Sequence, residues 1–516
     1  MAIKLVLLIV FFAVMIGIGI YSRHKARNVN DYVLGGRTVG PWISAFAFGT
    51  SYFSSVVFIG YAGQFGWKFG LASTWIGLGN AFIGSLLAWL ILGRRTRLMS
   101  QKLDAKTMPE YFGKRFESKA LRVAGSIIAF IFLVPYTAGV YNGLSYLFSM
   151  AFDVDVHICV IIMAVLTGAY VVIGGYMATA LNDFIQGIIM LIGICLVILS
   201  VLNGQGGFLN ALKELSNVQA GPGEAVAALE GSQGLFASFF GPDPMSLLGV
   251  VILTSLGTWG LPQMVHKFYA IKDEKSVKIG TIVSTFFAIV IAGGCYFLGG
   301  FGRLFADQGG IVEVVDGKQI INVDHIVPTM LSTLPDLIIG IVVVLVFSAS
   351  MSTLSSLVLT SSSTLTLDLI KPLFKKDMKE KTQVRIMQLF VVVFIAISVV
   401  IAFDPPDFIA QLMGVSWGAL AGAFLAPFLY GLYSKNITKL AVWASYIVGV
   451  GFTILNMYTH IIESPINAGA ATMLAGLVIV PIVSAVTPKP NKEKVEEMFS
   501  CYEQTVSVPE RENLGS

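Results

Sequence analysis

The amino-acid sequence predicts an all-α polytopic membrane protein with about thirteen transmembrane helices. Hydrophobic residues make up 55% of its 516 residues and charged residues only 12%, whereas a soluble protein carries roughly 25% charged residues. A helix needs about 20 predominantly apolar residues to cross the hydrocarbon core of a bilayer. The chain contains thirteen apolar runs of this kind, near residues 3–22, 40–66, 71–93, 121–150, 157–174, 179–203, 245–266, 277–300, 337–370, 386–403, 407–433, 438–460 and 467–486.

The charges of the loops predict how these helices are oriented. Basic residues collect on alternate loops, and the loop from Arg94 to Lys119 alone contains eight Lys and Arg residues. Acidic residues such as Asp153 and Asp155 collect on the loops between them. Because short loops rich in Lys and Arg stay in the cytoplasm, we expect a multi-pass protein of the inner (plasma) membrane. Its N-terminus is expected outside and its C-terminal tail in the cytoplasm.

Two long loops are expected on the outer side. The loop at 204–244 is rich in Gly, Ala and Ser and has room for short helices. The loop at 301–336 contains IVEVVDGKQIINV, where apolar and polar residues alternate around Asp316–Gly317. This alternation about a turn dipeptide predicts a small β-hairpin.

The sequence lacks the motifs of several other functional classes. It has no GxxxxGK[ST] phosphate loop, which argues against ATP as an energy source. Its four cysteines have no CxxC spacing, and a net charge of +4 gives no indication of nucleic-acid binding. We therefore expect neither an enzyme nor an organic cofactor, and we expect a monomer or weak homo-oligomer whose partners are the lipid bilayer and a small molecule.

The ninth apolar run carries many hydroxyl groups in its stretch from Phe347 to Asp368, FSASMSTLSSLVLTSSSTLTLD. On a helix, Ser352 and Ser356 lie four residues apart on one face, flanked by Thr353 and Ser355. Such a face offers oxygen ligands, which hard cations prefer. The alternative is structural, because Ser and Thr also let membrane helices pack closely or bond to the preceding turn.

Two apolar runs are expected to contain broken helices. The second run has Gly49, Thr50 and Ser51 at mid-depth, and the seventh has Gly257, Gly260 and Pro262. Gly and Pro weaken a helix and free backbone carbonyls. Interrupted helices in corresponding places of two halves indicate the binding site of a transporter. Here each broken run opens a block of five, 40–203 and 245–433, and an odd number inverts the second block relative to the first.

Asp183 is a carboxylate near the start of the sixth apolar run. Ionisable residues within transmembrane helices usually have a function, so a cation ligand or a relay on the release path is one interpretation. The other is a helix-start carboxylate stabilised by the helix dipole. His266 and Lys267, at the end of the seventh run, are interpreted as interfacial anchors.

Four motifs together resemble the sodium:solute symporter family, and most closely its proline-permease branch. They are DYVLGGRTVGPW (31–42), TMPEYFGKRF (107–116), YVVIGGYMATALNDFIQ (170–186) and SASMSTLSSLVLTSSS (348–363). The resemblance implies a LeuT-like 5+5 inverted repeat with additional helices. The expected divisions are an extra helix and loop (1–39), the first repeat (40–203), an outer loop (204–244), the second repeat (245–433, with the outer loop 301–336), two further helices (434–487) and the tail (488–516).

The resemblance also implies where ions bind. The family's sodium site would use the backbone oxygens of Thr50, Phe53 and Ala349 and the hydroxyls of Ser352 and Thr353. Sialic-acid members bind a second sodium ion through residues that match Asp183, Ser352, Ser355 and Ser356, so a second ion or the ion release path is expected there.

The solute site is expected beside the sodium site, between the two broken helices. Its candidate residues are Ser51, Tyr52, Ser54, Tyr136, Thr254, Thr258, Trp259, Pro262 and Trp417. Proline permeases carry an Asp where this chain has Tyr52, and a Trp and a Tyr where it has Thr254 and Thr258. These replacements favour the broader prediction of an amino acid or small carboxylate.

The functional hypothesis is a sodium-coupled importer of a small organic solute that works by alternating access. A proton-coupled transporter that uses Asp183 is the alternative within the same class. A transporter-like membrane sensor or binding component and a channel are the alternatives from other classes.

Overall fold

The computed structural model describes residues 2–22, 28–219, 233–308, 311–315, 318–374, 377–405 and 409–507. These residues are helical apart from one hairpin and the connecting loops. The earlier helices are α1 (Ala2–Ser22), α2 (Val29–Leu34), α3 (Pro41–Tyr52), α4 (Ala62–Phe69), α5 (Thr74–Gly79), α6 (Arg94–Lys102), α7 (Met108–Arg115), α8 (Lys119–Phe152), α9 (Val156–Gly204) and α10 (Phe208–Asn217).

The later helices follow in the same way. They are α11 (Pro244–Leu256), α12 (Pro262–Tyr269), α13 (Glu274–Ala288), α14 (Gly294–Gly299), α15 (Ile326–Ser332), α16 (Asp336–Thr364), α17 (Lys371–Phe374), α18 (Glu380–Phe403), α19 (Ile409–Tyr433), α20 (Lys439–Thr459), α21 (Pro465–Val486) and α22 (Lys492–Phe499). π-Helical stretches at Val56–Tyr61, Asn80–Leu87, Trp89–Gly93, Ile289–Gly293 and Leu365–Ile370 extend or join several of them.

Ten helical segments of the described chain are long and apolar enough to cross a bilayer, and the bent pair α11–α12 makes eleven. The sequence predicted thirteen. One difference is that the second and third predicted runs meet in a single segment, Val56–Lys102. The other is the fifth run. Its apolar helix, Val156–Ala169, is shorter than the roughly 20 residues that cross a bilayer at about 1.5 Å per residue.

The fifth and sixth predicted runs join at Gly175, inside α9. Gly175 has φ 54° and ψ −154°, a backbone conformation that residues with a Cβ rarely adopt. A Cβ at this position would also lie 2.7 Å from the ring of Tyr32. Glycine therefore lets α9 bend where it packs against α2, so the two parts of this helix run in different directions.

The two long loops at 204–244 and 301–336 contain the predicted elements. Helix α10 lies in the first loop. In the second, strands β1 (Val312–Val315) and β2 (Lys318–Ile321) pair antiparallel, with Val312 opposite Ile321. The β-hairpin prediction is confirmed, although its turn, Asp316–Gly317, lies outside the described residues.

Helix α16 lies deep in the helical bundle. In its apolar stretch 78% of the residues are buried, against 28% for α1. It packs against α1, α3, α8, α9 and α18. The Ser/Thr-rich helix is therefore surrounded by protein, and several of its hydroxyls contact other helices.

Glycines let α4 and α14 approach each other closely. A Cβ at Gly66 would lie 2.0 Å from the carbonyl oxygen of Gly299, and a Cβ at Gly299 would lie 2.0 Å from the carbonyl oxygen of Ala62. Small residues at such contacts let membrane helices pack backbone to backbone. These two glycines fix the distance between the helices.

Gly66→Ala should therefore destabilise the protein. The added methyl group would meet a backbone atom, and overpacking of this kind costs about 1–3 kcal/mol. The measurement is the melting temperature of the purified protein in detergent. Gly451→Ala is the matched control, because nothing lies within 4 Å of a Cβ at Gly451. Equal melting temperatures for the two variants would contradict the packing argument.

The C-terminal segment 492–507 docks on the face of the bundle that carries the basic loop. The Arg94 side chain donates to the carbonyl oxygens of Tyr502 (3.2 Å) and Gln504 (2.8 Å). The Tyr502 hydroxyl donates to the carbonyl oxygen of Leu432 at 2.9 Å. Cys501 belongs to this segment and its side chain is buried, and burial raises the pKa of its thiol to about 11.

Cys501 should report this docking. In a variant that keeps only this cysteine, a water-soluble maleimide at pH 8 should react about 10-fold more slowly than with a thiol whose pKa is two units lower, because the smaller thiolate fraction outweighs the greater nucleophilicity of that thiolate. The rate should rise with pH up to the pKa. Arg94→Gln should loosen the segment and accelerate labelling, measured by intact mass. Equal rates with and without Arg94 would show that these hydrogen bonds do not hold the segment.

Candidate cation and solute site

The second predicted run is broken where the sequence predicted. Helix α3 ends at Tyr52, and Phe53 has extended backbone angles, φ −115° and ψ 109°. The chain becomes helical again from Ser55. Because the last carbonyls of a helix have no partner within it, the end of α3 presents oxygen atoms inside the bundle.

The hydroxyl face of α16 meets this break. The Ser352 hydroxyl donates to the Thr50 hydroxyl at 2.7 Å. The Thr353 hydroxyl lies 3.5 Å from the Thr50 carbonyl oxygen and 3.2 Å from the Ala349 carbonyl oxygen. Four of the five predicted sodium ligands thus form one buried group, and the fifth, Phe53, is the residue at which α3 breaks.

Further hydroxyls join the two helices on either side of this group. The Ser51 and Ser356 hydroxyls are 2.8 Å apart, and the Ser55 amide donates to the Ser350 hydroxyl at 3.2 Å. Ser355 instead donates to the Ser352 carbonyl of its own helix at 2.9 Å. The structural interpretation of the Ser/Thr pattern therefore holds for Ser355, while other hydroxyls bridge α3 and α16.

Asp183 is fully buried and paired with Lys267, a residue predicted to lie at the membrane interface. The Lys267 ammonium lies 3.3 Å from the Asp183 carboxylate, and the two side chains are 3% and 0% exposed. His266 is buried as well. The interpretation of Lys267 and His266 as interfacial anchors was wrong, because both side chains are enclosed by the protein.

The second broken helix lies next to the first. Helix α11 ends at Leu256, one 3-10 turn spans Gly257–Trp259, and α12 follows at an angle of 41°. Pro262 is the first residue of α12, a position where proline costs no hydrogen bond. Both predicted helix breaks are therefore present.

Contacts join the two broken helices and their neighbours. The Tyr52 hydroxyl donates to the Thr254 carbonyl oxygen. The Thr258 hydroxyl donates to the Ser255 carbonyl oxygen at 2.9 Å and lies 3.3 Å from that of Gly84. The Trp259 indole donates to the Ile83 carbonyl oxygen at 3.0 Å.

The predicted solute residues come together only in part. The rings of Tyr52 and Tyr136 lie 6.4 and 5.8 Å from that of Trp417, and all three side chains are buried. Ser54 lies at the break, where its hydroxyl accepts from the Val56 amide at 3.2 Å. Trp259 points instead toward Ile83. A cleft of about 610 Å³ lies elsewhere, between α8, α18, α19, α20 and α21, and none of the predicted solute residues lines it.

Sequence reasoning missed Lys267 as a partner of Asp183 and Gly84 as a neighbour of the solute residues. A lysine only five residues after Pro262, within the reach of a broken helix, was the available signal. Gly84 gave no signal in the sequence. A Cβ there would lie 2.2 Å from the Tyr52 hydroxyl, a contact that depends on the tertiary structure.

Two interrupted helices lie at the centre of this helical bundle, and buried hydroxyls join them to neighbouring helices. This arrangement is typical of polytopic membrane transporters. The chain belongs to the sodium:solute symporter family, whose profile matches residues 32–449. It is a multi-pass membrane transporter of a small solute, with Na+ as its coupling ion, and not an enzyme.

Relatives of known function match almost the whole chain. It is 30% identical over 492 residues to the osmoregulated proline transporter OpuE of Bacillus subtilis, covering 94% of each protein. It is 29% identical over 507 residues to the sodium/proline symporter of Staphylococcus aureus, covering 95% of this chain and 93% of that one.

Solved structures show the same fold. A Na+-coupled sialic acid symporter in a substrate-bound outward-open state has a TM-score of 0.73 at 16% identity, covering 95% of this chain and 99% of its own. Mhp1, a nucleobase-cation-symport-1 family transporter in a closed conformation, has a TM-score of 0.52 at 14% identity, covering 91% and 97%. These likenesses establish the LeuT-like class of helical fold.

Proposed function

We propose that this chain imports proline by coupling it to the inward movement of sodium. The observation that carries the proposal is the match to two proline transporters over nearly the full length of the chain. Proline belongs to the amino-acid class expected from the sequence. The replacements at Tyr52, Thr254 and Thr258 mean that its binding would use contacts different from those of the proline-permease pattern.

The proposed sodium ligands are the oxygens at the junction of α3 and α16. They are the backbone oxygens of Thr50, Phe53 and Ala349 and the hydroxyls of Ser352 and Thr353. Supporting this choice, the Thr353 hydroxyl lies within 3.5 Å of both helices' carbonyl oxygens. All five are uncharged ligands, so a hard monovalent cation would exchange its water for oxygens of similar kind. Sodium would then stabilise the contact between the two helices.

The proposed solute position is beside the break in the same helix. A zwitterion such as proline carries a carboxylate, and the N-terminal end of the helical segment that restarts at Ser55 directs the positive end of its helix dipole toward such a group. The aromatic rings of Tyr52, Tyr136 and Trp417 would pack against the apolar ring of the solute. This arrangement places solute and ion on opposite sides of one helix end, which is a direct physical basis for coupling.

In the proposed cycle, sodium and solute bind from outside, the outer path closes and the inner path opens, with sodium leaving past Asp183. The repeats 40–203 and 245–433 would supply the outward-open and inward-open arrangements. The proposed topology has thirteen transmembrane helices, with the N-terminus outside and the C-terminus in the cytoplasm. The membrane potential would add roughly 2.3 kcal/mol per charge per 100 mV.

Ser352→Ala should abolish the stabilisation of the protein by sodium. A ligand that binds only the folded state stabilises it, by roughly 1.4 kcal/mol at ten times its dissociation constant. The measurement is the melting temperature in sodium against potassium. Ser363→Ala is the control, because Ser363 is a buried serine of the same helix whose hydroxyl donates to the Thr360 carbonyl oxygen of the preceding turn. If sodium stabilises Ser352→Ala as it does the wild type, the assignment of Ser352 is wrong.

Purified protein in proteoliposomes should take up radiolabelled proline when a sodium gradient is imposed, and uptake should saturate. Replacing sodium by potassium on both sides should remove accumulation, because the driving force is gone. A pH gradient without sodium should not replace it. Accumulation driven by the pH gradient alone would favour the proton-coupled alternative, and sodium-driven uptake of alanine or glutamate but not proline would change the solute.

A further inference from the structure

A buried ion pair lies beside the proposed sodium ligands and joins α9 to α12. The Lys267 ammonium is 3.3 Å from the Asp183 carboxylate, and both side chains are almost fully enclosed. The same ammonium lies 5.3 Å from the centroid of the Tyr176 ring, within the range of a cation–π interaction. A carboxylate and an aromatic face thus surround the lysine, as they would a bound cation.

The residues expected to hold a second sodium ion differ from such a site in their charge. The Ser352, Ser355 and Ser356 hydroxyls all have hydrogen-bond partners but keep oxygen lone pairs that a cation could use. Asp183, the charged member of that set, already has the Lys267 ammonium as its counterion. The carboxylate that would supply the negative charge for a second ion is therefore neutralised from within the chain.

We propose that the Lys267 ammonium is a tethered cation that takes the place of a second sodium ion at Asp183, so that the chain binds one sodium ion per cycle. A sodium ion on the same carboxylate would lie beside the ammonium, and like charges repel strongly where water is scarce. The inference rests on the proposed sodium coupling and adds to it the residue that sets the number of ions.

The test is equilibrium binding of ²²Na+ to the purified full-length protein, which requires no knowledge of the solute. Wild type should hold one ion per chain. Lys267→Gln removes the tethered charge and should hold two, with the Hill coefficient rising from about 1 toward 2. Lys267→Arg keeps the charge and should hold one. Lys272→Gln removes the charge of an exposed lysine nearby and should also hold one.

Removing one partner of a buried ion pair is often more damaging than removing both. If Lys267→Gln does not fold, the double variant Asp183→Asn/Lys267→Gln serves instead. It should hold one ion, because the carboxylate for a second is gone while the proposed ligands around Thr353 remain. Loss of that ion in the folded double variant would overturn the inference, because Asp183 would then be a ligand of the single site.

The remaining outcomes separate this inference from the proposed function. Two ions in the wild type would overturn the tethered cation and leave sodium coupling standing. One ion in a folded Lys267→Gln protein would also overturn it, since removing the charge would not have opened the site. No bound sodium in the wild type would overturn the sodium coupling itself, and this inference with it.

Discussion

The break in the helix at Phe53 is the constraint on which the centre of this protein depends. A helix that stops inside an apolar bundle leaves carbonyl and amide groups without partners, and these must be satisfied by protein. Helix α16 supplies the partners. Its Thr353 hydroxyl reaches the Thr50 carbonyl of the ending helix, and its Ser350 hydroxyl accepts from the Ser55 amide where the chain restarts. Part of the hydroxyl pattern of α16 serves this need, whereas Ser355 and Ser363 bond within their own helix.

The same constraint links the two broken helices to each other. The Tyr52 hydroxyl donates to the Thr254 carbonyl, close to the end of α11. One interrupted helix therefore supplies a donor to the other, and Gly84 leaves the space for the tyrosine ring. Movement of either helix changes the environment of the other, which is what coupling between an ion and a solute requires.

The features predicted from the sequence were those with local signals. Apolar runs, the glycines and proline at both helix breaks and the alternating hairpin are each encoded within about 20 residues. The pairing of Asp183 with Lys267 is not, because the two residues are 84 positions apart. A lysine at the end of an apolar run has the same local pattern whether it faces lipid headgroups or a buried carboxylate. The direction of α9 after Gly175 was hidden for the same reason, since it depends on the packing of Tyr32.

The predicted sodium ligands are neutral, so the charge at the centre of the protein depends on Asp183 and Lys267. If Asp183 and Lys267 neutralise each other, the centre of the protein carries no net charge from these groups. Binding of one sodium ion with a zwitterionic solute then adds one positive charge to the moving assembly. The membrane potential acts on that charge throughout the step that exposes it to the other side. An unpaired Asp183 would instead make the loaded step neutral and place the voltage dependence on the return of the empty carrier, so the internal lysine places the electrical component on the step that carries sodium and solute.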